Sequence, residues 1–250
     1  VTGTGTLDLG ESCDPPTPCG PSFTVHFAEL NAKKLQAALL GAKKNETVLS
    51  SLLARLSSTP PWPELDGRVT ADSLVLGVFT LTDVAADLHI QASRAEAKSI
   101  DAGLLGGTVH GTASLETGDK PVYKLDASFT GLSPVEVGRL AAMRWSGGTL
   151  GGTGTLQLTG YSEKDLLDSA PGTLHFDWRG GDMAGVAVPA SLARFDLWPG
   201  DASVAHGAMK VSASKVKRGT HKTTVDADVT FGSPAKLSLA KKAAAAGGGK

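Results

Sequence analysis

The phrase Gly3-Thr-Gly-Thr-Leu-Asp-Leu9 returns as Gly152-Thr-Gly-Thr-Leu-Gln-Leu158, with looser copies at Gly107-Thr-Val-His-Gly-Thr-Ala-Ser-Leu115 and Gly172-Thr-Leu-His-Phe-Asp-Trp178. Each copy alternates Thr, Ser, His or Asp with small or apolar residues, the period-two signature of a strand with one wet face and one oily face. A chain that keeps repeating such a strand builds a wide sheet. The oily face must then be covered, either by the chain itself or by something it carries.

Two bulk features sharpen this. Aromatic residues make up only 5% of the chain while glycine reaches 31 residues, so the expected core is Leu, Val and Ala on closely spaced backbones. The formal net charge is −1, and no basic stripe interleaves with aromatics, which argues against a nucleic-acid partner. No apolar run approaches the roughly 18–20 residues that span a bilayer. The text opens inside a strand phrase, with neither an initiator Met nor a signal peptide, and is read as a portion of a longer protein.

The fold class expected is mainly β: a long curved antiparallel sheet, as a groove or half-open sandwich of repeated strands, with three to four short helices. A leading hairpin (strands 2–10 and 21–28) is followed by helices over 29–40 and 45–56, together a cap within residues 1–61. Strands resume at Leu65, with a phase slip near Asp72–Ser73 that predicts a bulge. A third helix spans 132–143, with Ser133 as N-cap and Pro134 at its first position, and a helical turn covers 163–169. Residues 236–250 read as a disordered, low-complexity tail. Glycines on apolar faces are expected to ease curling of the sheet.

Chemistry is sparse. Cys13 and Cys19 flank Asp-Pro-Pro-Thr-Pro, a spacing that suits a disulfide at a hairpin tip, with two free thiols as the other reading. The six histidines include no H-E-x-x-H, although a cross-strand pair such as His110 and His175 would be a metal candidate if adjacent. Gly147-Gly-Thr-Leu-Gly-Gly-Thr-Gly154 lacks the following helix that a phosphate loop needs. Catalytic residues, metal ligands and cofactors are therefore expected to be none. Lys215 to Arg218 and Lys241–Lys242 are either hydrated charge or contacts for anionic headgroups, each worth about 1 kcal/mol near a membrane.

The apolar positions Leu76, Leu88, Val109, Leu115, Leu125, Phe129, Leu156 and Leu158 are either the core of a closed sandwich or the lining of a groove. Periodicity leaves both open.

Three stretches carry a resemblance: Trp62-Pro-Glu-Leu-Asp-Gly-Arg-Val-Thr-Ala-Asp-Ser-Leu-Val-Leu76, Ala102-Gly-Leu-Leu-Gly-Gly-Thr-Val-His-Gly-Thr112, and Tyr161-Ser-Glu-Lys-Asp-Leu-Leu167 leading to Gly172-Thr-Leu-His-Phe176. In order and spacing they resemble the C-terminal region of AsmA-family proteins of Gram-negative envelopes, over about residues 62–185, within a β-rich region running to 235. The motifs are glycine and leucine spacings, not catalytic signatures. The resemblance implies a non-enzymatic protein on the periplasmic face of the inner membrane, anchored through a preceding transmembrane helix. It would shield or guide phospholipid acyl chains between membranes and support outer-membrane assembly, with a membrane-protein partner. The eight apolar positions would then face lipid along a concave groove. The alternative is a closed structural or protein-docking β module without a lipid path.

Overall fold

A computed structural model describes residues 2–8, 20–31, 64–76, 78–91, 93–116, 120–140, 143–160, 163–184, 193–230 and 236–241. Cys13, Cys19, Lys242 and the expected helices between 32 and 57 lie outside the described residues.

Thirteen strands form one sheet. In spatial order they are β1 (Thr2–Asp8), β2 (Ser22–Asn31), β3 (Leu65–Leu76), β4 (Phe79–Gln91), β5 (Arg94–Leu104), β6 (Gly107–Glu116), β7 (Val122–Leu132), β9 (Thr149–Thr159), β10 (Gly172–Arg179), β12 (Leu197–Ala205), β13 (Ala208–Arg218), β14 (His221–Thr230) and β15 (Lys236–Lys241). A separate two-stranded piece pairs β8 (Arg144–Ser146) with β11 (Asp182–Ala184). The described residues hold two short helices rather than three to four: α1 (Pro134–Leu140), where the Ser133 hydroxyl accepts the Glu136 amide at 3.4 Å, and α2 (Glu163–Asp168).

Several expectations need correction. The sheet is mixed, because β2 runs parallel to β3, a pairing that requires a long crossover between them. Residues 29–31 continue β2 instead of starting a helix, and Lys236–Lys241 is an edge strand, not part of a tail. The sheet is open: β1 and β15 each pair on one side only.

The phase slip in β3 is real, and its form is more extensive than one bulge. The registers β2–β3 and β3–β4 keep a constant offset across it, while both neighbours also change phase. Phe27, Ala71 and Val84 pack together before the slip, and Leu30, Leu74 and Leu81 join the same cluster after it. One extra residue is thus stacked in three adjacent strands, at Ala28, Asp72 and Asp83. The mismatch surfaces only at the borders, as register shifts against β1 and β5. Asp83 absorbs the distortion at a positive φ of 51°.

Glycines on the apolar face also make room for phenyl rings. Gly3, Gly67, Gly152 and Gly200 are the direct register partners of Phe27, Phe23, Phe129 and Phe176. A Cβ at Gly67 would lie 2.2 Å from the Phe23 ring, and one at Gly152 2.7 Å from Phe129. Each phenyl lies flat across a residue with no side chain, an arrangement that covers strand backbone and stabilises glycine in a sheet.

The principal core sits on the apolar face of the C-terminal half. Trp178, 1% exposed, meets Trp145 and Phe195 at centroid distances of 5.0 Å and stacks near Trp198 at 6.3 Å. Its indole N–H donates to the Gly147 carbonyl at 3.1 Å, and that of Trp198 donates to the buried Ser214 hydroxyl at 2.6 Å. Helix α1 supplies Val137, and β8 and β11 supply Trp145 and Met183. The rings come from β8, β10, β12 and the segment before β12, so this knot fixes the cover to the sheet. Trp178→Ala should cost about 3–5 kcal/mol, read as a lowered urea midpoint, whereas Leu125→Ala on the open face should cost under about 1 kcal/mol.

Candidate functional site: the two faces of the sheet

Alternation and register together convert the repeats into continuous rows. Leu7, Phe23, Gly67, Leu88, Ala97 and Ala113 are successive register partners from β1 to β6. Leu125, Leu156, Gly172, Val204, Met209, Val229 and Leu237 continue the same row to β15. It crosses all thirteen strands without a polar residue. A second row runs beside it, from Gly5, Val25, Val69, Ala86 and Ile100 through Gly111, Ala127, Gly154 and Leu174 to Ala202, Val211, Ala227 and Leu239. At about 4.8 Å per strand, each row is roughly 58 Å long.

The rows are covered unevenly. From β10 to β15 the second row enters the core, with Ala202, Val211 and Ala227 buried. The first row stays half-open: Leu7 is 64% exposed, Leu125 is 39% exposed, and Leu88, Leu156, Val204 and Met209 are half-buried. A second sheet layered on this face would have buried these side chains.

The expected lining residues divide accordingly. Leu125 and Leu156 are direct partners in the first row, and Leu88 belongs to it. Leu158 lies half-buried beside Tyr123, and Val109 half-buried beside Phe129. Leu76 is exposed at the end of β3, away from the row. Leu115 is 8% exposed, and Phe129 packs against the principal core, so protein already covers these two. Phe23, Val204 and Met209 were missed. The repeats do not include their strands, although the alternation of Phe23, Val25 and Phe27 was available as a signal.

The hydrophilic face is equally regular. Asp101, His110, Ser128, Thr153, His175 and Asp201 are successive partners across six strands. His110 Nδ1 bonds Asp101 at one end of this row, and His175 Nδ1 bonds Asp201 at 2.7 Å at the other. Three strand spacings separate the two rings, and Ser128 donates to the His110 carbonyl, not to its ring. Among the described residues no group of three or more His, Cys, Asp or Glu is disposed to hold a metal. Further pairs of the same kind join His89 to Asp66 at 2.9 Å and Arg68 to Asp87 at 2.8 Å. The hydrogen bond from His89, reinforced by Lys98, holds the Asp66 carboxyl below its usual value.

A depression of about 770 Å3 also lies on the hydrophilic face, among His110, Thr112, Asp126, Ser128, Thr155 and His175. Its polar side chains alternate with Gly111, Ala127, Gly154 and Leu174 of the same strands.

No family model matches the chain, and no curated protein or solved structure matches it either. No helix among the described residues is long and apolar enough to cross a membrane.

The hydrogen bond from His175 to Asp201 raises the His175 pKa above 6.5. The pairing favours the protonated ring, so its contribution is complete below the unfolded pKa and disappears as pH rises through the folded one. An NMR titration should place His175 above 6.5, and Asp201→Asn should return it towards that value.

Proposed function

We propose that this chain is part of an AsmA-like envelope protein whose open apolar sheet face shields phospholipid acyl chains between membranes, in support of outer-membrane assembly. The observation that carries the reading is the half-open first row, apolar on every one of thirteen strands. A single polar residue in that row would place a desolvation cost in the path of a sliding chain. A methylene fully withdrawn from water is worth about 0.8 kcal/mol. A chain lying on one face, with solvent on its other side, gains about half of that per methylene. Several methylenes then suffice to hold it without a closed tunnel. The process needs no bond making, and the headgroup remains in solvent.

The order of the strand motifs supports the family reading. So does the placement of α1 between β7 and β9 and of α2 between β9 and β10, where the resembling pattern puts a helix ahead of a Gly-x-Leu-x-Phe strand. In this reading the chain works on the periplasmic face of the inner membrane. The competing reading, a protein-docking module, draws on the C-terminal half, where the chain covers its own apolar face.

Phospholipid extracted from the purified protein and quantified by mass spectrometry tests the proposal. Leu125→Asp and Leu156→Asp should each lower retained lipid at least about tenfold, since a buried charge in an apolar contact costs more than 1.4 kcal/mol. Thr153→Asp on the hydrophilic face should leave it unchanged. Lipid-free parent protein, or equal retention in all variants with native circular dichroism, would overturn the reading.

A further inference from the structure

The two apolar rows do not stay open together. Neighbouring rows are two residues apart along each strand, about 6.7 Å. From β1 to β9 both are accessible: Val25, Val69, Ala86 and Ala127 of the second row are half-buried, as are Leu88 and Leu156 of the first. From β12 to β14 the second row is closed. Ala202, Val211 and Ala227 are 6%, 2% and 2% exposed, in one cluster with Trp178, Phe195 and Trp198. Val204, Met209 and Val229 of the first row remain half-buried beside them. Leu174 on β10 already packs against the cluster, so the change falls between β9 and β12.

The rows that flank this pair do not stay open either. Ala71, Val84 and Ala102 are buried on one side, and Leu115 is buried on the other. The open width is therefore two rows over the N-terminal half and one row over the C-terminal half.

We propose that the face holds two acyl chains side by side over β1 to β9 and only one beyond β10, so that a two-chained lipid stops at the aromatic knot. The inference rests on the lipid-shielding reading and adds to it where the path narrows and which lipids the narrowing sorts. The eight sheet strands from β1 to β9 span about 34 Å. That is room for an extended chain, which fills half of a bilayer's roughly 30 Å hydrocarbon core. Each chain lying in a row hides one side of its methylenes from water, and a second chain in the next row does the same. Past β10 the place of the second chain is taken by protein. A two-chained lipid moving that way has to lift one chain back into water, whereas a single-chained lipid meets no such step.

Two measurements on the whole chain test this. In the first, a phospholipid with a photoreactive group on one acyl chain is bound and irradiated, and the labelled residues are mapped by mass spectrometry. Label should fall on both rows from β1 to β9, and on the first row alone from β12 to β14. In the second, retention of dipalmitoyl phosphatidylcholine is compared with that of its single-chained lyso form. Ala127→Phe should set a ring across Gly111 or Gly154, its register partners, as Phe129 lies across Gly152. It should lower retention of the two-chained lipid about fivefold, the loss of two or three half-covered methylenes, and leave the lyso form unchanged. A merely greasy surface would bind both lipids as well or better, because the substitution adds apolar area. Label on Val211 or Ala227, or equal effects of Ala127→Phe on both lipids with native circular dichroism, would overturn this inference and leave lipid shielding standing. A parent that retains neither lipid would overturn both.

Discussion

Register is the constraint on which the rest of this structure depends. Alternation along one strand makes that strand amphipathic, but only matching phase between neighbours makes a face. Here the phase is kept across thirteen strands, including one parallel junction, so that Leu7 on the first strand and Leu237 on the last belong to one row. Where a strand gains a residue, the structure confines the damage. The slip in β2, β3 and β4 is shared by all three, and the extra residue in β13 is taken up at Ala213, whose amide bonds the Asp226 carboxylate at 2.6 Å. Without such devices a one-residue slip would turn Val84 or Val211 to the solvent side.

The strands were legible because alternation is local. Thr4 and Thr6 against Gly3, Gly5 and Leu7 identify a strand and its faces with no knowledge of its neighbour. Pairing partners were not legible in the same way. The antiparallel neighbours followed from short turns, whereas the parallel match of Val25 to Val69 joins residues separated by a long connection whose composition reads as helix. The slip at Asp72 was visible in the sequence, but its echo at Ala28 and Asp83 depends on pairing. The tryptophan knot was hidden for the same reason: Trp145, Trp178 and Trp198 come from three elements, and nothing local in each marks it as core rather than lining.

Where a hollow lies on the sheet is a property of three dimensions, not of one strand. Apolar alternation says which side chains share a face, not which face is hollow. The depression lies on the hydrophilic side, beneath rows of Thr, Ser, His and Asp whose hydrogen bonds run between strands, such as Thr155 to Thr173 at 2.8 Å. Those bonds tie neighbouring strands on the wet face, as Phe–Gly pairs do on the oily face. A one-layer sheet lacks the second layer that usually supplies rigidity, so both faces need a cross-strand device of their own.

The uneven cover on the apolar face then becomes intelligible. A sheet this wide could hide its oily side by folding into two layers, and this chain spends its large aromatic residues at one end instead. Trp145, Trp178, Phe195 and Trp198 close the corner under α1, β8 and β11. Packing is dense there, whereas Leu125 and Leu156 in the first row stay accessible. The proposed shielding of acyl chains would use that distribution: a packed region, and a lining whose side chains are held by neighbours on the same face while their tips stay open. An apolar row left half-open across thirteen strands is the kind of exposed surface that marks an interaction site.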